Sequence, residues 1–179
     1  MRNLFVCLLV AVPLISGCCQ PGVHQSGKVT QHGDFPCFGV ADTDETRRTP
    51  PRLAGLTVEE MHIGQRGTLM WNLSFLGGRP VYLSPGQCIP YGDASRGSGS
   101  WLQKARALRP GAVYSYGLNS DIDSYYADGS SANRAYSGHF CLTHDSAGKI
   151  TVHDIRWDEK AQRRHWEVCE LAPDQEPTF

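Results

Sequence analysis

The clearest pattern in the sequence is the stretch Thr68-Leu69-Met70-Trp71-Asn72-Leu73-Ser74-Phe75. Large apolar side chains fall on every second position, and polar side chains stand between them on the other face. The apolar set is Leu69, Trp71, Leu73 and Phe75, and the polar set is Thr68, Asn72 and Ser74. Because successive side chains of a strand point to opposite faces of its sheet, this alternation predicts a half-buried β-strand.

Shorter stretches of the same kind lie on both sides of it, separated by turn residues such as Gly77-Gly78 and a predicted hairpin turn at His144–Lys149. Seven or eight short strands predict an all-β fold, and we expect one Ig-like β-sandwich of antiparallel strands over residues 35–172. The one stretch with helical character is Gly99–Leu108. The other predicted strands are Cys37–Ala41, Leu56–Ile63, Val81–Leu83, Val113–Leu118, Arg134–Thr143, Ile150–Trp157 and His165–Leu171.

The N-terminus carries a predicted export signal. Arg2 precedes an apolar segment, Leu4–Ile15, that is too short to span a bilayer as a helix. The following tetrad, Ile15-Ser16-Gly17-Cys18, resembles the lipobox of bacterial lipoproteins, whose cysteine is acylated and becomes the mature N-terminus. We therefore predict a signal peptide at residues 1–17 and lipidation of Cys18. Ordinary cleavage near Gly17, which would leave Cys18 as a plain thiol, is the alternative.

Residues 18–34 are polar and show no period, which predicts a flexible tether, and residues 173–179 are predicted to be a frayed tail. The residue after Cys18 is Cys19 rather than the aspartate that resembles an inner-membrane retention signal. The expected location is therefore the periplasmic face of the outer membrane. A formal net charge of −1, with no basic stripe, argues against nucleic acid as a partner.

The chain has seven cysteines. Cys7 leaves with the signal peptide, Cys18 would carry the lipid, and Cys19 is the odd one. No Cys-x-x-Cys pair occurs among the rest, which argues against zinc and against a thioredoxin-like redox site. Because the periplasm is oxidising, we predict two disulfides among the remaining four cysteines. These are Cys37, Cys88, Cys141 and Cys169.

Titratable residues do not form a recognisable catalytic constellation. Three histidines could meet around one hairpin, and His139 shares a strand face with Cys141. His144, however, lies in the turn, and no third ligand follows the His139 and Cys141 pair at a familiar metal-site spacing. Asp121 and Asp123 lack the Asp-x-Asp-x-Asp-Gly loop of a calcium site, and no serine lies in a Gly-x-Ser-x-Gly elbow. We therefore predict a non-enzymatic protein that holds no metal and no cofactor. The histidines are His139, His144 and His153.

One long loop is rich in Tyr, Ser, Gly, Asn and Asp, the residue types of binding loops. Tyrosine offers a large contact area at low cost in side-chain entropy, and small polar residues adapt to a partner. We predict that Tyr125 and Tyr126, flanked by Asp121 and Asp123, form part of a surface that binds a basic partner. The alternative is a turn whose tyrosines fold back onto the sheet. Trp101, in another long loop, is a second candidate anchor.

Four motifs carry a resemblance to a known family. They are Phe35-Pro36-Cys37-Phe38, Val81–Pro90, Pro110–Tyr116 and Ala135–Leu142. In this order, and together with the lipobox, they resemble a family of small enterobacterial lipoproteins described as type VI secretion immunity periplasmic lipoproteins. The resemblance covers roughly Cys37 to Leu142. It implies a protein that binds a toxic effector delivered by a neighbour and occludes the active site of that protein toxin.

The same resemblance implies a disulfide between Cys37 and Cys88, which leaves Cys141 for Cys169. Strand geometry sets a condition on the second pair. If its two strands flank the predicted strand Ile150–Trp157, they lie roughly 10 Å apart, whereas bonded cysteines need Cα atoms within about 7 Å. The last strand must then cross to the other sheet or lie across an edge, or the pairing is different.

Two further functions stay open at this point. One is a structural or accessory envelope lipoprotein that binds a secretion component or the cell wall, and the other is an enzyme acting on envelope polymers. The chain also departs from the family pattern in its C-terminal segment, which ends in Trp166–Cys169, and in the long insertion Tyr91–Arg109. Because loops carry specificity, such departures indicate a partner of its own.

Overall fold

The computed structural model describes residues 23–97, 103–121 and 133–169. Most of these residues lie in strands, and eight of the strands form one curled, mixed sheet. Within the described ranges the elements are β1 (Val23–His32), β2 (Phe35–Val40), α1 (Asp44–Arg48), β3 (Leu53–His62), β4 (Gln65–Ser74), β5 (Cys88–Pro90), β6 (Val113–Ser120), β7 (Arg134–His144), β8 (Ile150–Ile155), β9 (Trp157–Asp158), β10 (Arg163–Arg164) and a 3₁₀ helix (Trp166–Cys169).

The strand order in the main sheet is β4-β3-β6-β7-β1-β2-β5, and β8 also pairs with β7. The predicted all-β, disulfide-stabilised class is confirmed. The strands do not form the two separate sheets of an Ig-like sandwich, because β1 joins both halves. Val23–Ser26 pairs in parallel with β7, and Gly27–His32 pairs antiparallel with β2. One strand thus links two partial sheets, and its parallel half departs from the expected antiparallel pairing.

The predicted tether at residues 18–34 is wrong where β1 lies, and residues 18–22 fall outside the described ranges. β1 has no apolar alternation that could reveal it. Between His24 and His32 only Val29 is buried. The strand forms because β7 and β2 pair with its backbone, so tertiary context overrides the weak local pattern.

The stretch with the clearest alternation forms β4 and the residue after it, and most of its apolar face packs into the core as predicted. Its buried members are Trp71, Leu73 and Phe75. A β-bulge interrupts the alternation. Val58 of β3 pairs with Trp71. The next residue, Glu59, pairs with Leu69, which leaves Met70 as an extra residue in β4. Met70 is buried and Leu69 is only half-buried, so the bulge changes which of the two faces the core.

Helix α1 lies between β2 and β3. A capping box begins it, since Thr43 Oγ1 accepts a hydrogen bond from the N–H of Thr46 at 3.1 Å. Glu45 of α1 then binds Arg134 of β7, whose side chain is 1% exposed, with 3.1 Å between Nη1 and Oε1. This largely buried ion pair holds the short helix against the sheet.

The described part of the predicted helix Gly99–Leu108 is not helical. The N–H of Gln103 donates to the carbonyl of Asn72 at 3.2 Å. The N–H of Arg106 donates to the carbonyl of Met70 at 3.1 Å. These two bonds cover the outer edge of β4, where an uncovered strand would present unpaired peptide groups.

Two other predicted strands also differ. Of Val81–Leu83, only an isolated bridge between Tyr82 and Arg52 forms. Of His165–Leu171, the described residues contain the 3₁₀ helix Trp166–Cys169 instead of a strand. Residues 170–172 lie outside the described ranges.

Both disulfides implied by the resemblance are present. The Cα atoms of Cys37 and Cys88 are 5.4 Å apart, and those of Cys141 and Cys169 are 5.8 Å apart. The second distance meets the geometric condition because a helical turn, not a third strand of the same sheet, carries Cys169 back over β7.

Candidate functional site

A cleft opens where β1 and β8 leave the same edge of β7. β1 pairs with β7 as far as Ser26, which stands opposite Ser137. β8 pairs with β7 from Ile155, which stands opposite His139. Gly138 lies between these two pairs, at the fork. The cleft has a volume of about 560 Å³, in the size range of sites that hold a small ligand or part of a peptide.

Two glycines in the lining of the cleft lie above the hydroxyl of Tyr116. The phenol oxygen lies 2.1 Å from the position that a Cβ would take on Gly27 and 3.0 Å from that position on Gly138, so neither has room for a side chain. Tyr116 is 3% exposed, and its hydroxyl has no hydrogen-bond partner among the described residues. Burial raises the pKa of Tyr116, so the hydroxyl keeps its proton. A buried hydroxyl without a partner costs about 1–3 kcal/mol, which makes this an unsatisfied polar position beneath the cleft.

Charged side chains line the cleft at different depths. The side chain of Asp154 is 15% exposed, and its Oδ2 accepts a hydrogen bond from Arg156 Nε at 2.9 Å. The other carboxylate oxygen, Oδ1, accepts no hydrogen bond from the described residues. Arg156 is 69% exposed. Asp42 pairs with Arg47 at 2.6 Å, and both are exposed. Asp154 is therefore the deep acid of the cleft, and the groups around it lie at the rim.

The outer wall of the cleft is the exposed indole of Trp157, with the guanidinium of Arg164 6.0 Å from the ring centroid. These residues pair between β9 and β10. Behind the wall, His139 packs edge-on against Trp166, with 5.8 Å between ring centroids. Burial, followed by the charge of Arg164, lowers the pKa of His139 to about 4, so its ring is neutral at neutral pH. The exposed indole of Trp157 gives the wall a flat aromatic surface.

Gln31 closes one end of the fork. Its Nε2 donates to the carbonyl of Ile150 at 2.9 Å, and its Oε1 accepts the N–H of Val152 at 3.2 Å. Those peptide groups face away from β7. Because peptide groups alternate in direction along a strand, the N–H and C=O of Asp154 face the same way. Beyond Gln31, no strand in the described ranges pairs with this edge of β8.

Of the predicted binding residues, the structure describes only Asp121. It follows β6, its carboxylate lies 3.5 Å from the guanidinium of Arg52, and it does not line the cleft. The proposed tyrosine and aspartate surface therefore stays a prediction. The predicted residues outside the described ranges are Cys18, Trp101, Asp123, Tyr125 and Tyr126.

The histidines considered for a metal site have separate environments. His153 Nε2 lies 2.7 Å from Thr143 Oγ1, and His144 Nδ1 lies 3.1 Å from the carbonyl of Gly148. His139 lies behind the wall of the cleft. Across residues 23–97, 103–121 and 133–169, no three His, Cys, Asp or Glu side chains are grouped so that they could hold a metal ion.

Sequence reasoning missed the cleft because its lining comes from segments far apart in the chain. One of them, around Gly27, has no apolar alternation that would predict a strand. One signal was available. Gly138 interrupts a strongly predicted strand, and an isolated glycine inside a strand indicates that another group approaches the backbone closely. In this fold that group is the ring of Tyr116.

No helix within the described ranges is long and apolar enough to cross a bilayer. Comparisons of the chain with protein-family models, with curated proteins and with solved structures find no match.

Proposed function

We propose that this chain is an exported lipoprotein, anchored through Cys18 to the periplasmic face of the outer membrane, that binds and neutralises a type VI secretion effector toxin. It acts as a non-enzymatic immunity protein and covers the active site of the toxin. The motifs on which the family resemblance rests lie in the disulfide-bonded frame and the core of the fold. This observation carries the proposal.

The first motif forms most of β2, and the second ends in β5 beside it, where Phe38 pairs with Ile89 and the nearby Cys37 is bonded to Cys88. The last motif lies in β7 and carries Phe140 into the core. The rings of Phe38 and Phe140 are 5.5 Å apart and both are fully buried. A frame of this kind is rigid before it binds, and rigidity lowers the entropy cost of capturing a partner.

The cleft supplies a side chain that suits a protein interface. Trp157 is 46% exposed. Tryptophan is enriched among the residues that dominate binding energy. We therefore place the centre of toxin capture at this cleft.

The test is a pull-down with the soluble fragment of residues 20–179 and the products of the neighbouring genes, followed by growth rescue. Cells that export the captured toxin to the periplasm should survive when they also make the full chain. Rescue should fail when the chain lacks residues 1–17 and stays in the cytoplasm. Failure to rescue cells from every neighbouring toxin would remove the immunity function.

Two exposed aromatic residues provide matched variants for the pull-down. Trp157 lines the cleft, whereas Tyr82, which is 56% exposed, does not. Trp157→Ala should weaken capture about 10-fold or more, as expected for a central aromatic residue. Tyr82→Ala should leave capture unchanged. Equal effects of the two variants would place the interface elsewhere.

The lipid anchor is tested separately. Cys18→Ser should abolish labelling by radioactive palmitate, and Cys19→Ser should not. Cys19→Asp should move the protein from the outer-membrane to the inner-membrane fraction of a sucrose gradient. Labelling that survives Cys18→Ser would contradict the lipidation site.

A second candidate function is an accessory envelope lipoprotein that binds the cell wall. The observation that favours it is the exposed indole of Trp157 beside the polar pair Asp154 and Arg156. Sugar rings pack on flat aromatic surfaces, and their hydroxyls donate hydrogen bonds to carboxylates and accept them from guanidinium groups. If this function is correct, the fragment should sediment with purified peptidoglycan, Trp157→Ala should not, and no toxin should be captured.

A further inference from the structure

One enclosed charged group of the cleft is an acid with spare hydrogen-bonding capacity. The carboxylate of Asp154 is 15% exposed, and among the described residues only Arg156 binds it, through one oxygen. Arg156 is itself largely exposed, so water competes for its guanidinium and its net contribution is small. A carboxylate in this setting gains more from a second, enclosed, charge-assisted hydrogen bond.

The hydroxyl of Tyr116 is a second and independent sign of an incomplete polar site. It is buried, has no partner among the described residues, and lies directly beneath Gly27 and Gly138. After burial, the charge of Asp154 also raises the pKa of Tyr116. The hydroxyl beneath the fork and the carboxylate at the fork therefore both have unused hydrogen-bonding capacity.

The depth at which the charged side chains lie in the cleft decides which sign of charge a ligand should carry. The titratable lining contains equal numbers of basic and acidic groups at neutral pH, so the sum of the charges decides nothing. The side chain of Asp154 is 15% exposed, whereas Lys28 and Arg156 are exposed at the rim, and the half-buried Arg164 faces the ring of Trp157. An acidic ligand would meet the enclosed carboxylate, and a basic ligand would neutralise it. The basic groups of the lining are Lys28, Arg156 and Arg164, and the acidic groups are Asp42, Asp154 and Glu159.

The form of the cleft favours a guanidinium on an extended chain. A guanidinium is flat and carries five N–H donors, so it can donate to a carboxylate and also lie on an aromatic face. Trp157 supplies such a face at the wall. The peptide groups of Asp154, turned away from β7, supply the edge on which an extended segment forms backbone hydrogen bonds.

We propose that the fork between β1 and β8 binds an extended peptide segment of the partner and that an arginine of this segment reaches Asp154. This inference deepens the proposed function, because it names what the cleft recognises on the toxin. Asp154 holds the guanidinium, Trp157 packs on it, and the free edge of β8 aligns the segment.

The first experiment needs no toxin. The peptide acetyl-Gly-Arg-Gly-amide is titrated into the ¹⁵N-labelled fragment of residues 20–179, and the matched peptides carry citrulline or glutamate in place of arginine. We expect amide shifts at Gly27, Gly138 and Asp154 with the arginine peptide. Citrulline keeps the shape but not the charge and should bind at least about 10-fold more weakly, the ratio expected for one charge-assisted hydrogen bond.

Three variants distinguish the contribution of Asp154 to peptide binding from that of the charged groups at the rim. Asp154→Asn should weaken binding of the arginine peptide about 10-fold or more, whereas Glu159→Gln, at an exposed acid of the same cleft, should leave it within about 2-fold. Arg156→Gln should strengthen binding, because it frees Asp154 from its present partner. This last variant changes an exposed side chain, so it decides the matter even if Asp154→Asn fails to fold.

The outcomes for the peptide and the toxin are distinguishable. Preference for the glutamate peptide, or weaker binding by Arg156→Gln, would overturn the inference. If a toxin is captured equally well by the chain and by its Asp154→Asn variant, immunity stands and the arginine site fails. If the arginine peptide binds as expected but no neighbouring toxin is captured, the site stands and the immunity function fails.

Discussion

Glu45 binds the guanidinium of Arg134, the largest charged side chain in the interior, with 3.1 Å between Oε1 and Nη1. The same Nη1 donates to the carbonyl of Thr49 at 2.9 Å. Arg134 begins β7 and stands opposite Val23 at the start of β1. The ion pair therefore fastens helix α1 to the point where the two halves of the sheet join.

We expect Glu45→Ala to lower the free energy of unfolding by about 2–4 kcal/mol, because it leaves a buried cation without its carboxylate. The lower end reflects the partial exposure of Glu45. Its neighbour Asp44 provides the control, since it pairs with Arg47 and its side chain is 78% exposed. Asp44→Ala should cost no more than about 0.5 kcal/mol. Urea unfolding measures both, and similar values would show that the buried pair is not special.

The close approach of Tyr116 to Gly27 predicts that alanine is tolerated less well at position 27 than at another glycine of the sheet. Gly27→Ala would place a methyl group against the phenol oxygen, and the ring cannot retreat because it packs against Phe38 at 4.9 Å between centroids. Overpacking of this kind costs about 1–3 kcal/mol. Gly117→Ala is the control, since a Cβ there meets no atom within 4 Å.

Removal of the phenol oxygen should relieve the closest of the three overlaps, while the ring carbons Cζ and Cε2 stay 2.7 and 2.9 Å from the added methyl group. We expect Tyr116→Phe alone to raise the melting temperature, because it deletes a buried hydroxyl without a partner, and to restore part of the stability lost in Gly27→Ala. The double-mutant cycle, measured by thermal unfolding, should show a coupling of about 1 kcal/mol or more. Additive effects would contradict the contact between the two residues.

The sequence was sufficient for those parts of the fold in which local pattern and burial agree. β4, β6 and β7 alternate clearly, and the predicted hairpin turn contains Gly148, whose φ of 77° is the left-handed conformation that glycine adopts easily. β1 carries no such pattern. It is exposed along most of its length and is held by backbone pairing on both sides, and backbone pairing leaves no trace in side-chain periodicity.

The cleft could not be predicted from the sequence, for the same reason. It exists only because β1 and β8 share one edge of β7 over different lengths, and register between distant segments is a tertiary property. Single residues could have been suspected, as Gly138 shows. The role of Asp154 could not, because nothing in its neighbourhood along the chain indicates that its carboxylate is enclosed.

The two disulfides should differ in the part of the molecule they stabilise. They close loops of 51 and 28 positions, for which chain entropy predicts roughly 4 kcal/mol each. Replacing either pair by alanine should therefore lower the melting temperature by about 10 °C. Only loss of Cys141–Cys169 should also increase hydrogen exchange at Arg164 and weaken peptide binding, because this bond holds the 3₁₀ helix behind the cleft wall. Equal exchange in both variants would contradict this division.

His165 should give the hairpin β9–β10 a pH dependence. Its Nδ1 lies 2.7 Å from Glu167 Oε1 and its Nε2 lies 3.1 Å from Asp158 Oδ2, and these carboxylates, Glu167 first, raise the pKa of His165. The folded state then binds the proton more tightly than the unfolded state. This contribution is complete below the unfolded pKa of about 6.5 and is lost as the pH rises through the higher folded pKa.

The two carboxylates that bind His165 set the acidic limit of the pH range in which the hairpin is most stable. The N–H groups of Ala161 and Lys160, together with His165, lower the pKa of Asp158, and His165 lowers the pKa of Glu167. Their contributions hold above an unfolded pKa of about 4 and are lost as the pH falls through the lower folded values. Hydrogen-exchange protection of Arg164, corrected for intrinsic rates, should therefore be greatest between about pH 5 and pH 6.5. In His165→Gln this maximum should flatten, and an unchanged profile would show that the histidine does not couple the hairpin to pH.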